Sequence, residues 1–162
     1  MHQSLKPLVE IVLFNNALFK ACTGDISETE SIEKPSENTN SLKWILGHVV
    51  TGRFVLGELC GMKKDLPWDG MFMAATDNED LPALPEIVAT FDKMTPQLMR
   101  AMAVLDEKAL QTAPSSAFPT AEKTTLAALA FLLQHESYHL GQISYIRRFL
   151  DKMGLVDKLL SA

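Results

Sequence analysis

The run Gln134-His135-Glu136-Ser137-Tyr138-His139-Leu140-Gly141-Gln142 lies inside a longer helical pattern and carries two histidines four positions apart. That pattern is capped near Thr124 or Thr125, passes through Ala127, Leu133, Ile146 and Leu150, and stops before Gly154. On a helix, residues four apart stand about 40° apart around the axis and one turn along it. Both imidazoles can therefore reach one small object beside the helix, and a transition metal is the object neutral imidazoles share most readily. His48 lies in a second apolar helical run, so three of the four histidines occupy such runs. Side chains converging from facing helices are how bundle cores hold metals. The pattern predicts a metal centre with His48, His135 and His139 as ligands.

Three further helical runs lie upstream. Leu5, Leu8, Val9, Val12, Asn16 and Phe19 repeat with helical spacing over residues 4–22, and Gly24 supplies a stop. Residues 25–38 are acidic and serine-rich, contain Pro35, and read as a solvated loop. The second run opens at Asn40 or Ser41 and reaches Cys60 before Gly61. It is apolar nearly all round (Trp44, Leu46, Val49, Phe54), as expected of a helix at the centre of a fold or shared with a second subunit. The third run starts at Pro85, buries Ile87, Phe91, Met94, Leu98 and Met102, and contains Pro96, which is expected to kink it. Residues 62–84 carry the turn clusters Leu66-Pro67-Trp68, Trp68-Asp69-Gly70 and Leu81-Pro82 and are too long for an idle connection. A lid is expected there, with Met71, Phe72 and Met73 buried across the bundle end. A short helix at 155–160 closes the chain, and no segment alternates with period two. The expected fold is all-α: one domain over 1–162, an antiparallel four-helix bundle with a long loop between helices two and three.

Charge and composition exclude several classes. The net charge is -5 and no basic tract exceeds two residues, so nothing marks a nucleic-acid-binding face. No apolar run approaches the roughly 20 residues of a membrane span. Cys22 and Cys60 are far apart without a Cys-x-x-Cys spacing and read as reduced thiols. With no signal pattern in residues 1–7, the expected location is cytoplasmic.

His135-Glu136-x-x-His139 also matches the zinc-protease signature, in which the glutamate is the general base. The extended continuation is absent, however, and no edge strand is evident to hold a peptide. Glu136 is therefore read as a surface charge or as a residue supporting a metal ligand. Gln142 follows His139 by three residues on the same face, and Asn16 lies on the buried stripe of the first helix. Both are candidates to hydrogen-bond an imidazole or a bound water. Trp44 and Tyr138 read as packing residues, Cys60 as core and His2 as exposed, and Arg147 and Arg148 receive no role.

These residues carry a resemblance. Trp44-Ile45-Leu46-Gly47-His48 and the His135-x-x-x-His139-x-x-Gln142 helix resemble the motifs of the DinB-like (YfiT-like) superfamily, and the likeness spans almost the whole chain. It implies the same three ligands, a divalent metal (Zn2+ or Ni2+) and frequent homodimers. Its better understood members include transferases that conjugate low-molecular-weight thiols to electrophiles, and thiol-dependent isomerases. The expected function is therefore a metal-dependent thiol S-transferase acting on a small electrophile, with a small thiol as cosubstrate. A metal-dependent hydrolase of a small ester, amide or lactone is the alternative, as is a non-catalytic metal- or ligand-binding bundle. The expected partners are a small-molecule substrate and a second copy of the chain, with no nucleic acid and no membrane.

Overall fold

The structure, a computed structural model, describes residues 1–63, 65–68, 70–73 and 80–161. Positions 64, 69 and 74–79, part of the expected lid, lie outside the described residues. Four long helices build the bundle: α1 (Lys6–Thr23), α3 (Leu42–Leu59), α4 (Leu84–Ala103) and α6 (Thr125–Phe149). Three short ones accompany them: α2 (Glu28–Ile32), α5 (Glu107–Gln111) and α7 (Leu155–Leu160). No described residue is in a strand, and no helix is long and apolar enough to cross a membrane.

The helix starts follow from local chemistry. Ser41 Oγ accepts the Trp44 amide at 3.2 Å and Thr124 Oγ1 the Ala127 amide at 3.2 Å, satisfying donors that the first helical turn leaves open. Pro7 and Pro85 occupy first-turn positions of α1 and α4, where their missing N–H costs nothing. Gly61 ends α3 in a left-handed conformation (φ +84°), which returns the Met62 amide to Gly57 O at 2.9 Å. Asp151 (φ +56°) does the same for α6, three residues short of the Gly154 stop.

Helix directions explain the long middle connection. Cross-helix contacts pair Arg53 with Glu136 and His48 with His139, so α3 and α6 are antiparallel. Phe19 stacks on Phe91 and Asn16 lies near Thr95 through Arg53, so α1 and α4 are also antiparallel. By contrast, Asn15 meets Ser137 while Cys22 meets Arg147, so α1 and α6 run the same way. Glu28 ties the starts of α3 and α4 together, bonding Lys43 Nζ at 2.7 Å and the Leu84 amide at 2.9 Å, and these two helices are parallel. Parallel neighbours require a connection that travels the bundle length, about 27 Å for 18 residues.

The interior is two apolar clusters separated by a polar layer. One cluster gathers Phe19, Leu46, Val50, Phe91, Leu140 and Ile143; the other gathers Val12, Leu56, Leu98, Met102, Leu129 and Leu133. Between them lies Arg53, fully buried, with Nε 2.8 Å from Glu136 Oε2 and Nη2 on Glu136 Oε1. Its Nη1 donates to Asn16 Oδ1 and, at 3.3 Å, to Thr95 Oγ1, while the guanidinium lies 4.3 Å from the Phe91 ring centroid. Each long helix contributes one residue to this layer.

Several expectations are corrected here. The stretch 25–38 is not all loop: Ser27 and Glu30 form a reciprocal capping box that starts α2. His2 is not simply exposed, since Nδ1 accepts the Ser4 amide and Nε2 lies 3.0 Å from Glu107. Arg147 is buried and binds both Asp25 carboxylate oxygens, Cys22 O and Met153 O, tying the end of α6 to the end of α1. The apolar circumference of α3 is covered within the chain by α4, α6 and Phe72. Exposed large apolar side chains sit instead on α1 and α6, among them Phe14, Tyr138, Tyr145 and Phe149.

Candidate metal centre

Antiparallel packing of α3 on α6 brings His48 opposite His135 and His139. One donor atom from each ring lies within 4.8 Å of the others, and all three residues are half-buried. His135 Nε2 and His139 Nε2 are 3.0 Å apart. Two ligands on a tetrahedral metal with bonds of about 2.0–2.1 Å stand about 3.4 Å apart, so the pair needs only a small opening to share an ion.

The other ring nitrogens settle which atoms face the centre. His48 Nδ1 is 2.7 Å from the Phe72 carbonyl oxygen, which can only accept, so Nδ1 carries the hydrogen and Nε2 is left with its lone pair. His139 Nδ1 donates to Gln142 Oε1 at 2.7 Å, and Gln142 Nε2 donates onward to the Tyr138 hydroxyl at 3.1 Å. Such outer bonds orient metal-binding imidazoles and raise their basicity. Electrostatics agree. Burial, aided by His48 and His135 and opposed by the Gln142 bond, pushes His139 down to about 4. Burial, with His48, also lowers His135, against an opposing pull from Glu136. Both rings are neutral at pH 7, the form that binds metal. In the ion-free chain His135 Nε2 donates its hydrogen to His139 Nε2 at 3.0 Å, and moving that hydrogen to His135 Nδ1 leaves both Nε2 lone pairs for an ion. The donor set therefore fits a divalent ion.

Apolar rings frame the site. Trp44 stacks on His48 with centroids 5.2 Å apart, and Phe131 lies beside His135 at 6.0 Å. Trp44 and Trp68 both meet Phe72 edge-on. Phe72 is fully buried, Met71 partly so, and Met73 is 67% exposed, so the expected burial of this segment rests on one ring. Gly47 makes that ring's position possible: a Cβ there would lie 2.2 Å from it. Gly47→Ala is expected to displace Phe72, costing about 1–3 kcal/mol of stability. Without the Phe72 carbonyl on His48, metal affinity should fall about 10–100-fold. Thermal unfolding and metal titration of this variant check both effects.

Of the other candidates, Gln142 touches His139 as expected. Asn16 bonds Arg53 rather than an imidazole. Glu136 is 4% exposed and bound by Arg53 through both oxygens, which overturns the surface-charge reading. Tyr138, read as packing, is 56% exposed and extends the Gln142 chain. The Phe72 carbonyl was beyond sequence reasoning, because a backbone acceptor leaves no mark in residue identity.

The three convergent imidazoles of this helical bundle form a group that could hold a metal ion. The chain belongs to the DinB superfamily, whose family model matches residues 15–143, taking in all three histidines. No curated protein matches it.

Proposed function

We propose that this protein is a metal-dependent thiol S-transferase that joins a small thiol to a small electrophile at His48, His135 and His139. The observation that carries this reading is the commitment of Glu136 to Arg53. A metal-dependent hydrolase of the His-Glu-x-x-His kind needs a carboxylate base for its water, and here both carboxylate oxygens are already bonded. A thiol needs no such base once its sulfur is ionised. When bound, Zn2+ or Ni2+ supplies Lewis acidity that favours the thiolate near neutral pH. With three histidines as the donor group among the described residues, a position remains for an exchangeable ligand.

The chain's own residues do the rest. The Phe72 carbonyl and Gln142 hold two imidazoles in the donor tautomer, and Trp44 and Phe72 keep one wall dry. The thiol must come from outside: Cys22 and Cys60 are buried and their thiols are pushed up to about 12, chiefly by burial. In the reaction the thiol releases its proton to solvent water, sulfur forms a bond to the electrophilic carbon, and the leaving group departs with its electron pair.

Zinc- and nickel-loaded protein incubated with monochlorobimane and a panel of small thiols should accelerate conjugation, and His135→Ala should remove the acceleration. Ester or lactone hydrolysis without added thiol, lost in the same variant, would replace this reading with the hydrolytic one. Absence of both activities would leave a binding protein.

A further inference from the structure

The face of α3 that carries His48 continues through Gly52 and Val55, one and two turns further on. Gly52 is the informative residue. Glycine is the poorest helix former after proline, yet this one sits mid-α3 with no positive φ, and an added Cβ would meet none of the described atoms within 4 Å. Neither a turn nor a close neighbour requires it. The next residue, Arg53, pairs with Glu136 across the bundle, so Gly52 stands at the level of His135. Where α3 passes that imidazole it therefore presents bare backbone, and the seam between α3 and α6 is open beside the three rings.

Apolar side chains wall this opening. Phe131, one turn before His135 on α6, lies 6.0 Å from that imidazole, the two rings tilted by only 27°. Phe118 meets Phe131 at 6.1 Å from the loop that precedes α6. That loop is held in place: the Thr125 amide donates to Thr112 O and the Thr120 amide to Phe118 O, each at 2.8 Å. Phe118, Phe131 and Val55 are all partly buried. None of the three offers a charge or a hydrogen bond, and two are aromatic. Flat, uncharged, apolar groups suit such walls, since aromatic rings gain from stacking beyond the area they bury.

We infer that the open seam at Gly52 is a slot for a flat, uncharged aromatic group, with Phe131 as its stacking wall and Phe118 closing its end. In the reaction this group carries the electrophilic carbon. That assignment rests on the function proposed above; the slot's preference for a flat ring does not. With an aryl chloride, the thiol sulfur bonds to the ring carbon, chloride leaves with its electron pair, and the thiol proton passes to solvent water.

The test first uses unreactive probes. Zinc-loaded protein is titrated with nitrobenzene and with nitrocyclohexane, which keeps the nitro group but is not flat, following the Gly52 amide and the His135 ring protons. Nitrobenzene should shift both and bind about fivefold tighter, the worth of one stacking contact. Gly52→Leu, which fills the slot, should abolish the shifts while zinc content is kept and thermal stability holds or rises, leucine being the better helix former. Phe131→Leu should cancel the fivefold preference and leave nitrocyclohexane binding in place. A glycine with a merely structural role would not lose binding while gaining stability. Equal binding of the two probes, shifts elsewhere only, or a preference that survives both variants would overturn the inference. The second stage follows conjugation of 2-mercaptoethanol to 1-chloro-2,4-dinitrobenzene and to chloroacetamide. Gly52→Leu should raise KM for the aryl chloride at least fivefold and leave that for chloroacetamide unchanged; an aryl chloride KM that does not move would overturn the slot's part in the reaction. If the probes bind as predicted but neither electrophile is conjugated, the slot stands and the transferase reading falls.

Discussion

Replacing Arg53 with methionine should be among the most destabilising single changes in this protein, lowering stability by about 3–5 kcal/mol. The cause lies in what is left behind. Glu136 is 4% exposed, and Arg53 meets both of its oxygens. Without the guanidinium, a carboxylate is stranded between two apolar clusters, where an unpaired charge is costly. Asn16 and Thr95 would lose the donor they share. The double variant Arg53→Met/Glu136→Leu should recover most of the loss, because removing a buried pair together spares the cost of orphaning one member. Denaturant unfolding of the two single variants and the double variant gives the coupling directly. Independent, additive losses would show that the pair does not work as a unit. The layer draws one residue from each long helix, so it also sets the register that places His48 opposite His135. The double variant is therefore expected to bind metal more weakly than wild type despite its recovered stability.

The second large effect is stabilisation by metal. An ion that binds only the folded chain, present at a thousandfold over its dissociation constant, adds about 4 kcal/mol, which raises the melting temperature by on the order of 10 °C in a chain this size. The gain should vanish with a chelator and should be absent in His48→Ala, whose metal-free stability should stay within about 1 kcal/mol of wild type, because the residue is only half-buried. Acidification should weaken the effect, since protons compete for Nε2 of His135 and His139. Calorimetric scans with and without zinc read all three.

Much of this was legible in the sequence because its signals are local. Helical periodicity and the caps at Ser41 and Thr124 located the long helices, and the spacing of His135 and His139 placed both rings on one face. Gln142 followed from the same geometry. The missed features depend on partners far away in the chain. Arg53 is one of three charged residues in an otherwise largely apolar helix, beside Lys43 and Glu58, and its meaning comes from Glu136, 83 residues on. Arg147 was equally mute until Asp25, 122 residues earlier, came into view. Helix direction was not readable either: the long middle segment suggested a lid, whereas parallel α3 and α4 require a connection of that length on topological grounds alone. The short α2 did have a local signature, since Ser27-x-x-Glu30 is a capping box that the acidic character of its surroundings obscured.

The metal centre is tested most directly by elemental analysis of the untagged protein beside its His135→Ala variant, both after incubation with Zn2+ or Ni2+ and removal of excess. About one ion per chain in the wild type, lost in the variant, is the predicted result. Equal metal in the two proteins, or none in either, would contradict a three-histidine centre and return these side chains to packing.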